Sequence, residues 1–134
     1  MTTPAETLVH QYYDTFVAQD LSGFMELLTD DVIHEINQGE TEKGKDLFKK
    51  FMENYFTYGK ENVKNLIVIA SADGKYAATR FVASGKYTKA CEGCPPPSGQ
   101  AWELPITSFF EIRNNKIAKV SVHYNIKDWM KQVA

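Results

Sequence analysis

The sequence predicts an α+β domain, in which a cone-shaped, curved antiparallel β-sheet packs against N-terminal helices around a pocket. Two features of the pattern predict it. Apolar residues recur at helical spacing as far as Phe56 and then switch to the shorter period of strands. Turn residues then separate long strands joined mainly by hairpins, so the helices gather on one face of the sheet.

The first helix runs to about Ala18. Thr3 or its neighbour caps it, Pro4 sits early, and Glu6 completes a capping box. Its apolar stripe is Leu8, Val9, Tyr12, Tyr13, Phe16 and Val17. Asp20 caps a second helix carrying Leu21, Phe24, Met25, Leu27 and Leu28, which ends at Thr29-Asp30-Asp31. Val32 to Asn37 reads as a short strand with Val32, His34 and Ile36 on one face. Gln38 to Lys45 is a polar loop. A third amphipathic helix carries Leu47, Phe48, Phe51, Met52, Tyr55 and Phe56, with Gly59 as its stop.

Strands are then predicted over Val63 to Ala72, Tyr76 to Lys89, Trp102 to Arg113 and Lys116 to Asn125. Turns fall at Ala72-Asp73-Gly74 and Asn114-Asn115, and Gly85 marks a bend or break. The loop Ala90 to Gln100 holds Cys91, Cys94 and three prolines, which bars it from a central strand. Asp128, Trp129 and Met130 begin a short C-terminal helix.

A chain of 134 residues is the size of one domain, and residues 1–134 are read as one. Hydrophobic residues make up 43% and charged residues 24%, ordinary values for a globular protein. The net charge of −2 has no basic stripe, which argues against a nucleic-acid partner. No apolar run approaches the roughly 20 residues of a membrane span. The polar start from Met1 to Glu6 lacks the order of a signal peptide, so a cytoplasmic location is expected.

The chain resembles the nuclear-transport-factor-2-like superfamily (the cystatin-like roll), and within it the ketosteroid-isomerase-related, SnoaL-like proteins. The residues that carry the resemblance are Gln11-Tyr12-Tyr13, Asp20-Leu21, Leu27-Leu28 and Asp30-Asp31-Val32. Leu104-Pro105-Ile106 with Phe109, Asn115-Lys116-Ile117, and His123-Tyr124-Asn125-Ile126 with Asp128-Trp129 extend it over essentially the whole chain. The resemblance implies a pocket for a small hydrophobic molecule, no cofactor or metal, and a homodimer through the sheet. Ser121, His123 and Asn125 would then face the second subunit. Ketosteroid isomerase works with an aspartate base and an oxyanion hole of a tyrosine and a protonated aspartate. Tyr12 matches the family tyrosine by its distance from Asp20-Leu21. The position of the base holds Ile36 and that of the protonated aspartate holds Thr107. The resemblance therefore implies the fold and pocket rather than classical ketosteroid isomerase catalysis.

Tyr12 and His34 are the candidate catalytic residues. If Ile36 points inward, His34 does too, because side chains two apart in a strand share a face. His34 suits a general base or acid, and a tyrosine hydroxyl can polarise a carbonyl oxygen. Both also have plainer readings, as a hydrogen-bonded core histidine and a core aromatic. The pocket wall is expected from Phe16, Phe51 and Tyr55 on the helices, and from Ile36, Thr107, Phe109, Val122 and Tyr124 on or next to strands. Glu35 would enter the pocket only through a bulge. His10 is expected in solvent and His123 on the face away from the pocket.

Cys91 and Cys94 have the spacing of a redox pair. The Pro95-Pro96-Pro97 run prevents the helix that such a pair normally caps, and no second pair exists for zinc. They are read as exposed loop thiols that sometimes oxidise.

Three functions remain open on these residues. The first is an isomerase-like or polyketide-cyclase-like acid–base enzyme acting on a compact hydrophobic carbonyl compound. The second is a non-catalytic ligand-binding module of the same fold. The third is a protein-interaction domain, with an exposed apolar patch near Trp102 or Trp129 and no deep cavity.

Overall fold

The protein, described for residues 2–134 by a computed structural model, has ten elements in the order α1 (Pro4–Ala18), α2 (Leu21–Glu26), β1 (Leu28–Ile36), β2 (Thr41–Lys43), α3 (Lys45–Phe56), β3 (Asn62–Ala70), β4 (Tyr76–Tyr87), β5 (Gln100–Arg113), β6 (Lys116–His123) and α4 (Ile126–Gln132). The Thr3 side chain accepts a hydrogen bond from the Glu6 amide at 3.2 Å and caps α1. Asp20 caps α2 in the same way through the Gly23 amide at 3.1 Å. Met1, part of the polar start, lies outside the described residues.

The six strands form one curved, unclosed sheet in the order β2-β1-β6-β5-β4-β3. Its pairings are antiparallel except that β1 runs parallel to β6, so the first strand closes the layer beside the last. Asn114 and Asn115 both take positive φ, 53° and 57°, which suits the tight turn between β5 and β6. The strand β3 carries a bulge between Lys64 and Ile67, where Asn65 has φ 57°. Helices and inner sheet face meet in an aromatic-rich core that contains the fully buried Phe24, Phe48, Phe110, Val9, Val32 and Val120.

Strand ends shift by one or two residues from the sequence expectation, and three differences bear on the site. Leu28 belongs to β1 and not to the second helix, because it pairs with Ile117 of β6. The polar loop from Gln38 to Lys45 contains β2, which adds an edge to β1 through Ile33, His34 and Glu35. Gly85 does not break β4. It faces Trp102 across the ladder, and a Cβ there would stand 3.1 Å from the indole, so the missing side chain admits the ring.

The register fixes which side chains face the helices. One inner row is His34, Val120, Phe110 and Ala77, each paired with the next. The next row is Ile36, Val122, Ser108 and Thr79, followed by Ile106 and Phe81. The inner residues of β5 are therefore Trp102, Leu104, Ile106, Ser108 and Phe110. Thr107 and Phe109, expected in the pocket, lie on the outer face, and Phe109 is 45% exposed. Their expected orientation followed the motif position of Thr107, whereas burial alternates in the opposite phase. A slip of one residue turns every side chain of a strand to the other face.

Candidate active site

The inner rows and the helices enclose a cavity of about 340 Å³. That volume lies within the range of about 300–1,000 Å³ usual for small-molecule sites. Tyr12, Phe16, His34, Ile36, Phe51 and Tyr55 line it, as do Val122 and Tyr124. Tyr13, Glu61, Ser108, Trp102 and Trp129 line it too, although the sequence reading did not place them there. Both tryptophans therefore help to wall a deep cavity rather than form an outward patch.

His34 is 4% exposed, stacked on Phe48 at 4.0 Å with 11° between planes and edge-on to Phe51 at 4.7 Å. This packing follows from α3, which lays Phe48 and Phe51 across β1. Nδ1 is sealed and makes no hydrogen bond; Oε1 of Glu42 on β2 stands 3.8 Å away, beyond hydrogen-bond distance. Burial pushes the His34 pKa down to about 4, so the ring is neutral at pH 7. With Nδ1 sealed, Nε2 is the nitrogen left to meet a ligand.

Tyr12 is tied to His34 through a chain of rings: Tyr12 meets Phe24 at 4.7 Å, Phe24 meets Phe48 at 5.5 Å, and Phe48 carries the imidazole. Burial first, and the neighbouring Tyr13 second, push the Tyr12 pKa well above the ordinary tyrosine value. The hydroxyl thus stays protonated, and no hydrogen bond from it is found among the described residues. Tyr13 differs, because its hydroxyl shares a 2.7 Å hydrogen bond with the buried Thr79.

A second polar group sits further along α3. The Tyr55 hydroxyl donates a hydrogen bond to Oε1 of Glu61. Burial raises the Glu61 pKa, and burial followed by the Glu61 charge raises that of Tyr124. Glu61 was legible in principle. Alternation carried back two residues from Val63, which packs on the core, puts Glu61 on the inner face.

The other candidates fall elsewhere. Glu35 does not line the cavity; it pairs with Thr41 of β2, whose hydroxyl lies 3.5 Å from Oε2. His10 is exposed, and His123 stands on the outer face opposite Thr107. Cys91 and Cys94 are not free thiols. A turn with Cys94 N–H donating to the Cys91 carbonyl brings their Cα atoms to 5.3 Å, and the disulfide lines the cavity. Among the described residues, no group of three or more His, Cys, Asp or Glu side chains is placed to hold a metal ion.

A one-sided sheet wrapped by helices around such a cavity defines the class, the nuclear-transport-factor-2-like pocket proteins. The chain belongs to the SnoaL-like domain family, whose pattern matches residues 9–120. It is similar over 99% of its length, at 43% identity and a TM-score of 0.94, to the whole of a Pseudomonas putida KT2440 protein provisionally named a polyketide cyclase. A Xanthomonas campestris pv. campestris protein with the same provisional name is 32% identical, with a TM-score of 0.93 and coverage of 98% of this chain and 97% of that one. An epoxide hydrolase of M. tuberculosis, 15% identical with a TM-score of 0.77 over 98% of this chain and 86% of its own, shares the fold alone. No functionally curated protein matches the sequence.

The low His34 pKa has a consequence for stability. Between the ordinary histidine value of 6.5 and the folded value near 4, the unfolded chain binds more protons at this site than the folded one. Stability from His34 is therefore complete above about 6.5 and is lost as pH falls towards 4, by on the order of 3 kcal/mol in all. Glu61, with its raised pKa, contributes in the opposite sense just above the ordinary carboxylate value. Urea unfolding from pH 4 to pH 7 should show a markedly smaller rise in stability for His34→Asn than for the unmodified protein. Equal slopes would mean that His34 is not buried in its neutral form.

Proposed function

We propose that the protein is an acid–base enzyme of isomerase-like or cyclase-like character, acting on a compact hydrophobic carbonyl compound. The observation that carries this reading is a protonated Tyr12 hydroxyl without a protein partner, lining the same cavity as a neutral His34. In this reading the Tyr12 O–H donates to the substrate's carbonyl oxygen and steadies the enolate as it forms. Nε2 of His34 takes the proton from the adjacent carbon and returns it to the product skeleton. A base with a pKa near 4 is weak, but ketosteroid isomerase itself works with an aspartate of about 4.6 when the enolate is well stabilised. The relatives named polyketide cyclases support carbonyl chemistry of this kind.

The binding-module reading has its own support in the tight stacking of His34 on Phe48. The two readings part on one experiment. Hydrogen–deuterium exchange next to the carbonyl of a panel of cyclic ketones, followed by NMR in D2O, should be catalysed by the protein. His34→Ala should lower it by about 10²–10⁴-fold and Tyr12→Phe by about 10²–10³-fold. The rate should fall as pH drops through about 4, and this limb should persist in Glu61→Gln. Ketones that bind without exchange, or exchange indifferent to both substitutions, would favour the binding module.

We also propose a cytoplasmic homodimer joined through the outer sheet face, where Ile67 (54% exposed), Ile69 (65%) and Phe109 (45%) stand close to His123 and Thr107. Sedimentation at micromolar concentration should show a dimer that Phe109→Asp dissociates. A monomeric unmodified protein would contradict this assignment.

A further inference from the structure

The Glu61 end of the cavity holds an acceptor with no use inside the protein. Glu61 is half-buried and receives one hydrogen bond, from Tyr55 to Oε1. No hydrogen bond to Oε2 is found among the described residues. Oε2 is not sealed by packing and opens to the cavity without a donor from the protein.

This acceptor and His34 stand at two ends of one aromatic wall. Tyr55 stacks on Phe51 at 5.8 Å with 16° between planes, and Phe51 meets His34 edge-on at 4.7 Å. A ligand lying along this wall meets His34 at one end and Glu61 at the other.

We propose that the Glu61–Tyr55 pair is a binding site for a hydroxyl group, so that the ligand is a neutral, compact hydroxy compound whose O–H donates to Glu61. Joined to the carbonyl chemistry of the preceding section, on which this last step rests, the substrate class is a hydroxy-carbonyl compound with the two oxygens at opposite ends of an apolar skeleton. When ionised, Glu61 disfavours carboxylate ligands by like-charge repulsion. An ammonium group is the competing ligand, since the carboxylate and the ring faces attract a cation; Lys86, exposed and lining the same cavity, opposes it by like charge.

The test is binding, which needs no turnover. Calorimetry with 2-naphthol, 2-methoxynaphthalene, 2-naphthoate and 2-naphthylmethylamine separates the chemistries on one skeleton. The naphthol should bind about tenfold or more tighter than its methyl ether and than the naphthoate. That preference should drop below threefold in Glu61→Gln and weaken in Tyr55→Phe, while His34→Ala retains it. Equal affinity for naphthol and ether would overturn the proposal. So would a preference that survives Glu61→Gln but disappears in His34→Ala, which would put the hydroxyl at the other end. A naphthylmethylamine that binds tightest, in a manner dependent on Glu61, would replace the hydroxyl with a cation. Ketone exchange that fails while the Glu61-dependent preference holds would remove the enzyme reading and leave this site standing.

Discussion

Ile33 to Ile36 of β1 lie alongside Lys119 to Val122 of β6 in a parallel pairing, within a sheet whose other pairings are antiparallel. That contact joins the two ends of the chain and sets everything else in the cavity. It places His34 beside Val120 and Ile36 beside Val122, and it brings β1 under α3. The hairpins from β3 to β6 would form a sheet without it, but the sheet would lack the wall that carries the imidazole. The short β2 then seals the far side of β1, which leaves Nδ1 closed off.

A single physical cause governs the titratable groups in this container. Removal from water disfavours the charged form of any group. It lowers the pKa of His34 and raises those of Tyr12, Tyr55 and Glu61. Each shift moves its group towards neutrality, which makes the tyrosines donors and the imidazole an acceptor. An interior of this kind suits uncharged ligands with a few polar atoms. The same cone can also carry other chemistry, since the epoxide hydrolase shares the fold at low identity, so function has to be argued from the side chains.

The elements and the helix caps were largely legible because caps and periodicity are local signals. Thr3 and Asp20 act as their sequence positions imply. The pairing partner of β1 was not legible, because a parallel contact across most of the chain leaves no local mark. The site was readable wherever alternation had a secure anchor. Val32, His34 and Ile36 share a face because all three follow one buried strand. On β5 the anchor was a family position, Thr107, and it pointed the wrong way. The apolar run Trp102, Leu104, Ile106 and Phe110 carried the right phase in the sequence itself. Glu61 escaped because it precedes its strand by one residue, where alternation is rarely extended. The disulfide escaped because closure depends on the turn that draws Cys91 and Cys94 together.

The central claim is that His34 is neutral and open to a ligand through one nitrogen. An NMR titration of the ¹⁵N-labelled imidazole, with and without a bound cyclic ketone or 2-naphthol, addresses it directly. The account predicts a neutral ring from pH 7 down to about 4, with Nδ1 unresponsive and Nε2 shifting when ligand enters. A ring that titrates near the ordinary 6.5, or one whose two nitrogens ignore every cavity ligand, would contradict it.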